Sequence, residues 1–114
     1  MADDLDTINT DIERLGTSAI TLQTLSAQAM KDGDPAKAQE LATQALLMMG
    51  KKAELRTKRR DLEASSPQWR AMLDQLDDLD QKAEDAKADM QKANDTVETA
   101  KTVLSVVGKI ITAL

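Results

Sequence analysis

Cysteine, histidine, phenylalanine and tyrosine are all absent from this 114-residue chain, and Trp69 is its one aromatic residue. Without Cys or His there is no disulfide, no thiolate nucleophile, no Cys/His metal site and no imidazole base. A single aromatic ring gives no platform on which bases could stack. The net charge of −5 and the pI near 4.7 argue against a phosphate backbone as the main partner, so no nucleic acid is expected. β-branched residues are scarce before the last 18 positions, which makes a sheet improbable. The start, Met1-Ala2-Asp3-Asp4-Leu5-Asp6, is acidic and has no apolar signal core. A cytoplasmic location is the expectation, with signal-less export as the alternative.

What is present is helix-forming. Ala (17), Leu (14) and Met (6) carry most of the apolar content, with abundant Gln, Lys and Glu around them. Strong punctuation occurs twice. At Lys31-Asp32-Gly33-Asp34-Pro35, Gly33 suits a position just past a helix, Asp34 an N-cap and Pro35 a first helical residue. At Ser65-Ser66-Pro67 the same logic makes Ser66 an N-cap. The reading is one domain, 1–114, with helices over about 3–32, 35–64 and 67–113.

Apolar residues recur in steps of three and four. The first helix carries Leu5, Ile8, Ile12, Leu15, Ala19, Leu22 and Ala29, and a second seam adds Ile20, Ala27 and Met30. The second helix carries Ala38, Leu41, Ala45, Met48, Leu55 and Leu62, with a parallel seam at Ala42, Leu46, Met49 and Ala53. From Trp69 onward the heptads are unbroken. One series runs Trp69, Leu76, Ala83, Met90, Val97, Leu104, Ile111, and the other runs Met72, Leu79, Ala86, Ala93, Ala100, Val107, Leu114.

These patterns predict an all-α, antiparallel three-helix bundle or coiled coil whose long third helix extends beyond the first two. Pairing about the second turn sets Leu55 opposite Leu76 and Met48 opposite Ala83. The third helix then overhangs by roughly 18 residues, about 27 Å. The overhang, 97–114, is hydrophobic and too costly to leave in water. A break near Asn94-Asp95-Thr96, with Asp95 and Glu98 as a capping box, is the alternative. The unbroken heptads favour a continuous helix.

The overhang is therefore the expected surface for a partner: Val97, Val103, Leu104, Val107, Ile110, Ile111 and Leu114. A protein partner is expected, either a second copy in a homo-oligomer or a heterologous helix. Membrane contact through 97–114 is the other outlet, interfacial because the segment is too short to span. Trp69 is a candidate hot spot beside its simpler role of closing the core against Leu62. The basic run Lys51–Arg60 holds six cations and one acid, and the acidic run Asp74–Asp85 faces it across the expected second hairpin. Mutual neutralisation is the leading reading of both. Gly16 falls opposite Gly50, which suggests a close helix crossing or simply two tolerated glycines.

No residue set suggests catalysis, a cofactor or a metal, and an enzyme is not expected. The sequence fits a non-enzymatic helical assembly or interaction module. A membrane-associating secreted protein of toxin or translocator type is the first alternative, and a small acidic inhibitor or adaptor the second. Coiled-coil components of bacterial secretion systems share this general look. The small helical-hairpin secretion substrates carry Trp-x-Gly at their turn, whereas this chain reads Trp69-Arg70-Ala71 after it.

Overall fold

A computed structural model describes residues 2–114. The order is α1 (Ala2–Lys31), α2 (Pro35–Thr57), a 3-10 turn (Arg59–Asp61), α3 (Pro67–Ala88), a second 3-10 turn (Met90–Lys92) and α4 (Ala93–Ala113).

The first turn forms as its residues dictate. Gly33 adopts φ +83°, where a Cβ would be strained. The N–H of Asp34 then donates to the carbonyl of Ala29 at 2.9 Å, and that of Gly33 to Met30 at 3.1 Å, closing the end of α1. The Asp34 carboxylate accepts from the Lys37 N–H at 3.1 Å, and Pro35 opens α2. Ser66 caps α3 likewise, its hydroxyl accepting from the Trp69 N–H at 3.2 Å. The second helix ends at Thr57 rather than near 64. Extended backbone at Leu62 carries the chain to Ser66.

The main correction lies in the third helix, which is not continuous. It stops at Ala88, and Asp89 is extended (φ −147°, ψ 102°). The Asp89 side chain accepts from the Gln91 N–H at 3.1 Å, and α4 returns along the bundle. The chain folds back as in the alternative of a broken helix, but earlier than Asn94–Thr96, which lies inside α4, and the hydrophobic overhang does not exist. The energetics explain this. Turning back loses a few helical hydrogen bonds, each worth about 0.5–1.5 kcal/mol net. It buries Val97, Val103, Val107 and Ile110 to 6 % exposure or less, at about 1.5–3 kcal/mol each.

The result is an up-down-up-down bundle of 48 × 20 × 20 Å. α1 packs on α2 and α3, and α4 packs on α2 and α3. α2 and α3 therefore sit across a diagonal, and the predicted Leu55–Leu76 and Met48–Ala83 pairings give way to partners on α1 and α4. Ile12, Leu15 and Leu22 of α1 share the core with Leu41 and Met48 of α2, Met72 and Leu76 of α3, and Val103 and Val107 of α4. A hydroxyl ties each hairpin together near its turn. Ser26 Oγ donates to the Ala38 carbonyl at 2.6 Å, and Thr96 Oγ1 to the Lys82 carbonyl at 3.0 Å.

Candidate interaction surface

The predicted interface residues are largely inside the molecule. Val97, Val103, Val107 and Ile110 belong to the core, Leu104 and Ile111 are half-buried against it, and Leu114 alone is open, at 50 % exposure. Their apolarity is consumed by the fold. Trp69 is also interior, at 1 % exposure. Its indole Nε1–H donates to Asp11 Oδ2 at 2.8 Å, so its polar edge finds a buried carboxylate on α1 rather than solvent or a loop carbonyl.

The two charge runs do not neutralise each other, because α2 and α3 are diagonal. Each is met by α1 instead. Arg14 donates through Nη2 to Asp77 at 2.8 Å and to Asp80 at 3.2 Å. Burial disfavours the Arg14 charge, but hydrogen bonds and charge from Asp77 and Asp80 outweigh it, so its pKa lies above the ordinary value. On the other flank Lys52 Nζ reaches Glu13 at 3.2 Å. The Lys52 side chain runs over Gly16, where a Cβ would meet Nζ at 2.7 Å. Gly16 thus makes room for a lysine, not for a helix crossing. Gly50 has nothing within 4 Å of where its Cβ would be. Of the basic run, Arg56, Lys58, Arg59 and Arg60 close no ion pair among the described residues.

Apart from Leu114, the large apolar side chains left to solvent lie on α1 and α2. Leu46 is 73 % exposed, Ile20 61 %, Leu47 49 % and Met49 41 %. These residues fall within two charge-free stretches, 15–30 and 41–50. Arg14 and Lys31 bracket the first, and Glu40 and Lys51 the second. By contrast the exposed side of α3 carries Asp74, Asp77, Asp78, Asp80 and Glu84. The outer flank of α1 and α2, with Ile20, Leu46 and Met49, is therefore apolar at mid-height, Leu47 lies toward α4, and the exposed side of α3 is acidic.

Met49, Lys52, Ala53 and Arg56 line a shallow groove on the apolar flank, and Asn9, Glu13, Arg56 and Arg59 line its continuation. The flank thus passes from apolar to basic along α2. The seams of Ile20 and of Leu46 and Met49 show in the apolar periodicity, which by itself does not say what they face. The signal that marks them as surface is the loss of charge at positions where an amphipathic helix should carry it. No helix among the described residues is long and apolar enough to cross a membrane. No protein-family model, curated protein or solved structure matches the chain.

Proposed function

We propose that this chain is a non-enzymatic helical interaction module, working through the outer flank of the α1/α2 hairpin rather than through its C-terminal helix. The observation that carries the reading is Leu46, 73 % exposed at the centre of a charge-free stretch. Isolated exposed apolar residues are ordinary, but a contiguous group ringed by charge marks a binding surface. The mid-height apolar zone with polar ends also matches the core-and-rim anatomy of protein interfaces. Its residues carry no nucleophile–base pair.

The test is a photo-crosslinking residue placed at position 46 in the cells that make the protein, with position 78 on α3 as control. The reading expects a discrete protein adduct from position 46 and none from 78. Equal adducts from both positions, or none from 46, defeat it.

A further inference from the structure

We infer that the occupant of this flank is a second copy of the same chain, docked about a two-fold axis parallel to the hairpin. This rests on the flank being the binding surface and adds which partner covers it. The argument begins with height. The Lys52–Glu13 and Ser26–Ala38 contacts fix how α1 and α2 lie side by side. Ile20 stands level with Leu46, and Asp6 with Arg59. Such a two-fold axis lays α1 of each copy over α2 of the other without changing height.

Two features then become complementary at once. Ile20 of one copy meets Leu46 and Met49 of its mate. Asp6, exposed on the same face of α1 as Ile20, meets the basic end of α2, with Arg56 and Arg60 exposed. Symmetry repeats both contacts, as an isologous interface requires. Inside one chain these charges remain apart, since Asp6, Arg56 and Arg60 close no ion pair among the described residues. The size is sufficient as well. A flank of 48 × 20 Å can supply the roughly 800 Å² per partner of a standard interface. Gly50, open on the same stretch of α2, leaves the backbone approachable there.

Sedimentation equilibrium at about 100 μM, enough to populate any dimer with Kd near 1 μM, decides the matter. The wild type is expected at twice its 12.4 kDa. Leu46→Glu should raise the dimer dissociation constant at least about 30-fold, the effect of losing a hot spot, with helical circular dichroism unchanged. Asp6→Lys should weaken the dimer, as should the pair Arg56→Glu and Arg60→Glu in a second variant. An equimolar mixture of the two variants should dimerise again, because every acid then faces a base. A monomeric wild type overturns the proposal, as does a dimer indifferent to Leu46→Glu or a mixture that stays monomeric. If the wild type is monomeric while position 46 crosslinks a different protein, the second copy is wrong and the interaction module stands.

Discussion

Replacing Asp11 by Ala should lower the melting temperature by about 6–12 °C. Asp11 is 9 % exposed and its carboxylate accepts the Trp69 indole N–H at 2.8 Å. A hydrogen bond to a charged group contributes about 1.5–3 kcal/mol, and removing its acceptor strands the buried donor. Unfolding entropy of about 2.1 cal/mol/K per residue gives roughly 0.24 kcal/mol/K for this chain, which converts that loss to the stated range. Trp69 is the only tryptophan, so its emission follows unfolding without labels, and circular dichroism supplies the second probe. Asp11→Asn keeps an acceptor and should lose about half as much. Trp69→Phe also removes the donor, so a double-mutant cycle of Asp11→Ala with Trp69→Phe should show coupling of at least about 1 kcal/mol. A melting temperature within about 2 °C of wild type for Asp11→Ala, or a coupling near zero, would refute the claim that this bond anchors α1 to α3.

Four further outcomes are expected. Val103→Asp places an unpaired charge at a 0 % exposed site and should cost more than about 4 kcal/mol, so that the chain loses helical circular dichroism. A folded monomer from this variant would revive the overhanging helix. Gly50→Ala should stabilise the fold by about 1 kcal/mol, read as a higher urea midpoint, because a mid-helix glycine with open space gains only propensity. Gly33→Ala should lower the midpoint, since φ of +83° strains a side chain by about 1–2 kcal/mol. Arg14→Gln should cost no more than about 1 kcal/mol in the same titration, because Asp77 and Asp80 are largely solvated and screening weakens the pairs.

Both proline-led turns and the all-helical class were legible in the residues, because Gly33, Asp34, Pro35, Ser66 and Pro67 act through their own backbone preferences. The turn at Asp89 was not. It contains neither Gly nor Pro, and the heptads from Trp69 to Leu114 read identically for a straight helix and for a helix that folds back on itself. The candidate surface was half legible. The seams at Ile20 and Leu46 appear in the periodicity, but whether a seam faces a neighbour or water depends on how many helices surround it. With three helices these seams have work inside the chain. With four, α4 fills the core and the seams are left outside.

The sequence by itself determined which segments are helical, where two of the three turns fall and which chemistry is excluded. Those outcomes follow from local backbone preference and from side chains that are simply missing. Tertiary structure alone decided that α4 returns, that α2 and α3 lie diagonally, and that α1 meets both charge runs. The physical reason is that burial is non-local. The apolar residues between Val97 and Ile110 gain as much from the bundle's own core as from another molecule's surface, and the nearer core takes them. What remains uncovered is the flank of α1 and α2 around Leu46.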